Sequence, residues 1–260
     1  MPFRITAVII ALNEARNISR CVTSLREVAD EILVLDSGSS DETVALAQAA
    51  GATVVNVQWQ GFGPTKNGGN DRAQHDWILT LDADEELTPE LRREILHLKA
   101  GPEPSATRIF SINRLSNYLG RWMRHSGWQP DWRVFLFHRS NGRWNAEAVH
   151  EQLVYAQPIT ETRLKGHLLH YTLPTMADHL NTINRYSSLH AERYVAAGKR
   201  FRWWHLWLAP VWKFIAQYVL RLGFLDGREG FWLAWFSALD RQIRALKHRE
   251  LEQARKRKTV

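Results

Sequence analysis

The chain has 260 residues, 45% hydrophobic and 23% charged, which suits one sizeable α/β domain with an appendage, or two small domains, and excludes a disordered chain. Cys21 is the single cysteine, so there is no internal disulfide framework; its absence favours a cytosolic site of action. The net charge of +7 is concentrated at one end, where residues 241–260 hold eight Lys or Arg against two Glu, a net of +6; that run is either a solvated tail or a region drawn to nucleic acid or lipid headgroups.

Met1-Pro2-Phe3-Arg4 leads straight into strand signals without the charged, apolar and small-residue regions of a signal peptide, which predicts a protein that is not secreted. Ile5 to Leu12 is a continuous apolar run, as expected of a strand buried on both faces of a parallel sheet. Asn13-Glu14 then predicts a capped helix to about Leu25, with Ile18, Cys21, Val22 and Leu25 on its core face. Ile32 to Asp36 reads as a second strand, and Ser39-Ser40-Asp41-Glu42 as a capping box for a second helix that Gly51 ends. Thr53 to Val57 and Trp77 to Leu81 are a third and a fourth strand, and Thr88-Pro89 opens another helix. This alternation predicts right-handed βαβ units in a parallel sheet. Ligands of such sheets sit at the carboxyl ends of the strands, where Asn13-Glu14, Asp36 and Asp82-Ala83-Asp84 all fall.

From about residue 105 to 172 the pattern shifts to shorter strands, including 108–112 and 134–137. Thr175-Met176-Ala177-Asp178 is a further capping box, opening a helix over 176–197 that stops at Gly198. Six of the twelve tryptophans then cluster at 203, 204, 207, 212, 232 and 235, among scattered cations. Pro210, Lys213, Gln217 and Arg221 argue against a spanning helix. Trp interspersed with cations suits a membrane interface, or packing against the rest of the protein. Followed by the basic tail, it favours an anionic membrane surface over nucleic acid as partner.

Two carboxylates at a strand end repel unless a cation neutralises them, so Asp82-x-Asp84 suits Mg²⁺ or Mn²⁺ bridging phosphates; an acidic loop beside a helix start is the plain alternative. Val8-Ile9-Ile10-Ala11-Leu12-Asn13-Glu14, Val34-Leu35-Asp36-Ser37-Gly38-Ser39-Ser40-Asp41-Glu42-Thr43, Lys66-Asn67 and Leu81-Asp82-Ala83-Asp84-Glu85 together resemble the family 2 glycosyltransferases, inverting enzymes of GT-A fold. The resemblance implies an α/β fold, Rossmann-like, with a mainly parallel central sheet and flanking helices, followed by a helical, Trp-rich basic C-terminal segment. It implies that Asp36 faces the nucleotide base with Asn13 and Glu14 nearby, that Asp82 lies near the ribose, and that Asp84 binds the metal. Lys66 stands where the family often has Arg, in contact with base or phosphate.

An inverting transfer needs a carboxylate base to deprotonate the acceptor hydroxyl. Glu151, in Val149-His150-Glu151, is the favoured candidate and Asp131 the alternative. Arg133 offers bidentate donors to a diphosphate or forms a salt bridge. His170 resembles a late metal-ligand histidine of some GT-A enzymes, or is a strand histidine with no metal. Trp128 to Arg133, Val149 to Glu151, Phe214, Tyr218, Gly223-Phe224-Leu225-Asp226-Gly227 and Gly230-Phe231 extend the likeness to bacterial enzymes related to the lipopolysaccharide inner-core β-1,4-glucosyltransferases. That subgroup implies a UDP-sugar donor, with glucose as the sugar, and a lipid-linked glycan acceptor. It also implies a peripheral position on the cytoplasmic face of the bacterial inner membrane. The expected organisation is a catalytic domain over 1–175, with a nucleotide-sugar half at 1–100 and an acceptor half at 101–175, and a membrane-associating helical segment over 176–260. A polyprenyl-phosphate sugar synthase and a non-catalytic membrane or nucleic-acid binding module are the competing readings. A nucleotidyltransferase is disfavoured, because Ala11-Leu12-Asn13-Glu14 replaces its Gly-rich loop.

Overall fold

Seven residues of β1 (Ile5–Ala11) are all buried, and the reason is visible in their alternation. Ile5, Ala7, Ile9 and Ala11 enter one apolar cluster while Val8 and Ile10 enter another on the opposite face, as the pleat of a doubly covered strand requires. A computed structural model describes residues 3–146 and 151–258; Val149 and His150 of the expected Val149-His150-Glu151 motif lie outside the described residues. In chain order there follow α1 (Ile18–Leu25), β2 (Glu31–Asp36), α2 (Thr43–Ala49), β3 (Thr53–Asn56), α3 (Phe62–Arg72), β4 (Trp77–Asp82), β5 (Glu85–Leu87) and α4 (Pro89–Ala100). Next come β6 (Arg108–Tyr118), β7 (Arg121–Trp122), β8 (Trp132–His138), β9 (Gly142–Trp144), β10 (Leu153–Tyr155), β11 (Thr160–Leu173), α5 (Met176–Ala196), α6 (Trp204–Ile215) and α7 (Gly227–Lys258).

The chain divides into two compact units, residues 1–115 with 131–171, and residues 116–130 with 172–260. In the first, the strand order is β3-β2-β1-β4-β8-β6-β11-β5. The β3, β2, β1 and β4 pairings are parallel, whereas β8 joins β4 and β6 antiparallel and β5 joins β11 antiparallel. This is the α/β sheet expected from the alternating N-terminal half, continued by antiparallel strands. A separate two-stranded sheet pairs β9 with β10.

Two local expectations change, and one helix is added. The helix expected from Asn13 opens only at Ile18, because Asn13 takes a left-handed φ of 55° that a helix cannot accept. Ser39 does not cap α2; its hydroxyl donates to Asp36 instead, while Asp41 accepts the Thr43 N–H at 3.0 Å. And α3 is a helix with no matching sequence expectation. By contrast, Thr88 caps α4 by accepting the Leu91 N–H, Thr175 caps α5 by accepting the Asp178 N–H, and Gly198 ends that helix region with φ of 64°.

In the second unit, Tyr118, Met123, Leu173 and Leu233 form the buried cluster, and the Tyr118 hydroxyl lies 2.8 Å from His179 Nδ1. Asp226, 2% exposed, accepts from the N–H groups of Arg124 and His125 and from the Ser126 hydroxyl, so one carboxylate fixes the whole 124–126 turn. Helix α6 carries Pro210 internally and continues into a single π-helical turn over residues 216–220, a rare geometry that mostly occurs as one turn beside an α-helix.

Candidate active site

The parallel register aligns Ala11 with Asp36 and Ile10 with Asp82, so the acidic groups at these strand ends lie side by side. Asp36 is buried and curls back on its own loop, accepting the N–H groups of Gly38 and Ser39, each at 3.0 Å. Asn13 reaches the same loop: its N–H donates to Ser39 Oγ and its Oδ1 accepts the Ser40 N–H at 2.8 Å. Glu14 donates its N–H to Thr43 Oγ1 and accepts from the Asn17 amide. Burial raises the Glu14 pKa, the Asn17 hydrogen bond opposes the rise, and the charge of Asp84 adds to it.

Lys66 enters from α3. Its position depends on two glycines, because a Cβ on Gly69 would stand 2.5 Å from Val8 Cγ1 and one on Gly63 would stand 1.9 Å from the Asn145 carbonyl oxygen. The neighbouring Asn67 acts as a substitute strand, donating to the Trp144 carbonyl at 2.8 Å and accepting the Trp144 N–H at 3.0 Å. Lys66 is 7% exposed, and its Nζ lies 3.2 Å from Asp82 Oδ1 and 3.1 Å from Glu151 Oε1, with the Trp144 ring 5.0 Å away. Burial opposes its charge, but the two carboxylates outweigh burial and hold the Lys66 pKa above the ordinary lysine value. Burial likewise pushes Asp82 toward protonation, and Lys66 reverses that, leaving Asp82 below the usual carboxylate value.

Lys66, Asp82 and Glu151 line a cavity of about 360 Å³, together with Glu85, Arg114 and Arg133. The Asp82 side chain is 38% exposed as a whole, yet its Oδ1 is buried, at ion-pair distance from Lys66 but without a hydrogen-bond partner. One oxygen therefore faces the lysine while the other is wetted. Trp144 Nε1 and Thr80 Oγ1, on two more lining residues, are also buried and unpaired. Unmet polar atoms in a cleft mark places where a polar ligand gains more than water displaced from an ordinary surface.

Beside this cavity, β5 and β11 set His170 opposite Glu85, and the Tyr171 N–H donates to the Asp84 carbonyl at 2.9 Å. That pairing brings His170 Nε2 to 3.1 Å from Asp84 Oδ2. Burial disfavours the imidazolium, but the hydrogen bond and charge of Asp84 overcome it and raise the His170 pKa. Asp131 is engaged elsewhere, with Arg114 Nη2 at 2.9 Å and Arg133 Nε at 2.8 Å.

The structure thus gathers Lys66, Asp82, Glu151 and Arg133 around one cavity, sets Asp84 against His170, and commits Asn13 and Asp36 to the loop after β2. Sequence reasoning gave no role to Glu85, Arg114 or Trp144. Glu85 is 5% exposed; it accepts the Asp82 N–H at 2.9 Å and meets Arg114 at 3.3 Å. Burial, reinforced by the Asp82 charge, pushes its pKa up to about 7. Its place next to Asp82-Ala83-Asp84 was the one sequence signal available; Arg114 carried none.

Comparison with known proteins gives the family of the chain. The family described as Glycosyl transferase family 2 matches residues 6–150. An uncharacterised glycosyltransferase of Rickettsia typhi is 29% identical over 95% of this chain and 87% of its own. The lipopolysaccharide core biosynthesis glycosyltransferase LpsC of Rhizobium meliloti is 31% identical over 88% of this chain and 82% of its own. Among solved structures, glucosyl-3-phosphoglycerate synthase from Mycobacterium tuberculosis, crystallised with Mn²⁺, UDP and glucosyl-3-phosphoglycerate, covers 44% of this chain and 44% of its own at 25% identity and a TM-score of 0.35. The chain is a glycosyltransferase and belongs to glycosyl transferase family 2.

Proposed function

We propose that this glycosyltransferase transfers a sugar, glucose in the simplest case, from a UDP-sugar to a lipid-linked glycan of the lipopolysaccharide inner-core type, with inversion at the anomeric carbon. The observation that carries the reading is the cavity in which Glu151, Lys66 and Asp82 form one ion-paired row beside two buried polar atoms without hydrogen-bond partners, Thr80 Oγ1 and Trp144 Nε1. Such a row presents a carboxylate to an acceptor hydroxyl and donors and acceptors to a nucleotide sugar. Glu151 is the base: it lines the cavity with one oxygen held by the Lys66 ammonium, whereas both oxygens of the alternative, Asp131, are held by guanidinium groups. Lys66 orients Glu151 through the 3.1 Å contact to its Oε1, and Arg133, 56% exposed, would meet the diphosphate.

Among the described residues no group of three or more His, Cys, Asp or Glu is arranged to hold a metal. Asp84 and His170, with Oδ2 and Nε2 3.1 Å apart, would hold Mg²⁺ or Mn²⁺ together once the imidazole nitrogen gives up the proton it shares with Asp84. Mg²⁺ sites commonly use one or two protein ligands and take the rest from phosphate and water. Such an ion, held by Asp84 and His170, would neutralise charge on the departing diphosphate.

The acceptor reading draws on the second unit. Trp203, Trp207 and Trp212 are 64%, 63% and 63% exposed, and α6 has no fully buried residue. Among the described residues no helix is long and apolar enough to cross a membrane. Exposed tryptophans with a basic helix beyond them favour a peripheral seat on an anionic bilayer. The test is UDP release from UDP-sugars with lipid-extracted acceptors, with and without Mn²⁺. Glu151→Gln should keep UDP binding and lose transfer by ~10²- to 10⁴-fold. Near-normal turnover removes Glu151, metal-independent release intact in Asp84→Ala removes the metal reading, and a polyprenyl-phosphate sugar product reassigns the acceptor.

A further inference from the structure

The charge of the second unit is not evenly spread over its helices. Arg241, Arg244, Ala245 and His248 follow the i, i+3, i+4, i+7 spacing that places them on one face of α7. His205 and Ala209, at i and i+4, do the same on α6. With Lys199 and Arg200 from the chain between α5 and α6, these residues line a hollow of about 270 Å³. The two alanines leave the space, and six cationic or protonatable side chains surround it, with no carboxylate in the lining.

Apart from Arg244, which pairs with Asp240, these cations lack local neutralisation. Among the described residues, no carboxylate pairs with Lys199, Arg200 or Arg241; Lys199 meets only the Tyr194 ring, at 4.9 Å. Two carboxylates of α7 are already committed, Asp240 to Arg244 and Glu252 to the Phe201 N–H. His248 is 2% exposed and is held by the Lys199 carbonyl at 2.9 Å, so the floor is fixed while Lys199, Arg200 and Arg241 stand exposed at the mouth. Nearby groups register the same field: burial together with surrounding cations lowers the pKa of His205, where His248 and Arg202 act, and of Lys213, where Arg241 and Arg221 act. Protons are disfavoured where positive charge is already in excess, and an anion would be favoured there.

From this arrangement the geometry points to a second binding pocket, separate from the nucleotide-sugar cavity, in which Lys199, Arg200, His205, Arg241, Arg244 and His248 hold a phosphate group. The guanidinium forks of the three arginines suit phosphate oxygens, which they can meet two at a time. The phosphate is carried either by a lipid headgroup or by a free solute. A different face of the same two helices, with Trp207, Pro210, Phe214 and Trp235, lines an apolar groove of about 330 Å³, which suits the lipid source. The inference stands on the second unit alone, so its failure leaves the donor and base assignments, tested by UDP release, untouched.

The experiment uses the full chain without divalent ions. Inorganic phosphate is titrated by calorimetry, and flotation is measured with phosphatidylcholine vesicles with and without phosphatidic acid. Arg200→Gln/Arg241→Gln, at the exposed mouth, should weaken saturable binding at least ~10-fold. Arg228→Gln/Arg257→Gln removes the same charge from exposed positions of α7 outside the pocket and should cost less than ~3-fold at physiological salt. Unchanged thermal midpoints of both variants check folding. Saturable binding of inorganic phosphate that the mouth variant weakens supports the pocket and identifies a free solute as a sufficient source. The same pattern with phosphatidic acid vesicles alone supports it with a lipid source. Equal loss in the two double variants, or no saturable binding of either probe, overturns it.

Discussion

Lys66→Met is the sharpest test of how the cavity is held together, because methionine keeps the apolar stem and removes only the charge. In the native protein two carboxylates lie 3.1 and 3.2 Å from Nζ. Removing one partner from a buried ion pair costs about 3 to 5 kcal/mol. The 38% exposure of Asp82 lets water screen part of that loss, so the low end, about 3 kcal/mol, is expected at pH 7. For a protein of this size that corresponds to a fall of about 6 to 12 °C in thermal midpoint. The deficit should depend on pH with a definite sign. Lys66 holds Asp82 below its ordinary pKa against burial, so its contribution is present above the ordinary carboxylate value of about 4 and is lost as pH falls through the lower folded value. Without Lys66, burial makes Asp82 take up a proton at higher pH, and the gap between variant and native protein should narrow from pH 7 toward pH 4. Midpoints by scanning calorimetry across that range check it. An unchanged midpoint at pH 7, or a deficit flat with pH, would refute electrostatic bracing.

Other outcomes follow from single contacts. Gly166→Ala should destabilise by about 1 to 3 kcal/mol or more in chemical denaturation, because its Cβ would lie 2.5 Å from both N and Cα of Leu91 and helix backbone cannot swing aside as a side chain does. Asp226→Asn should cost about 1 to 3 kcal/mol, since the Arg124 and His125 N–H groups donate to different oxygens of the carboxylate and one of the two then meets an amide donor instead of an acceptor; recovery of native stability in that variant would show that the turn holds without the carboxylate. Burial lowers the His179 pKa, so native stability should decline as pH falls below the ordinary histidine value of about 6.5 toward the depressed one, the unfolded chain then binding more protons. His179→Phe should flatten part of that slope in urea midpoints, with the remainder left to His190 and His205, which shift the same way.

Where the sequence carried its structure openly, the signal was periodicity or a cap. The doubly buried runs of β1, β2 and β4, the Thr88-Pro89 start of α4 and the Thr175 start of α5 each need only local chemistry, and each was legible. Helix α3 was not, because Phe62-Gly63-Pro64-Thr65-Lys66-Asn67-Gly68-Gly69 reads as a loop by propensity. Its glycines answer to tertiary contacts with Val8, Leu35 and Asn145, which no window of sequence contains. The same limit hid Arg114, whose partners Glu85 and Asp131 lie 29 and 17 residues away in sequence. Glu85 stood in plain view beside Asp82 and Asp84, but only the antiparallel pairing of β5 with β11 shows that it is buried and turned toward the Asp82 N–H rather than toward solvent.

The missing Cβ at Gly69 gives α3 the character of a rigid mount. The reach of Lys66 is set by how closely the helix backbone seats on Val8 and Leu35, where a Cβ on residue 69 would stand 2.5 and 2.7 Å from their side chains. Enlarging residue 69 would therefore show itself as two miswired ion pairs, Lys66 with Asp82 and Lys66 with Glu151, well before the sheet beneath it came apart. A substitution that looks like a packing error would be read by the chemistry as an electrical one.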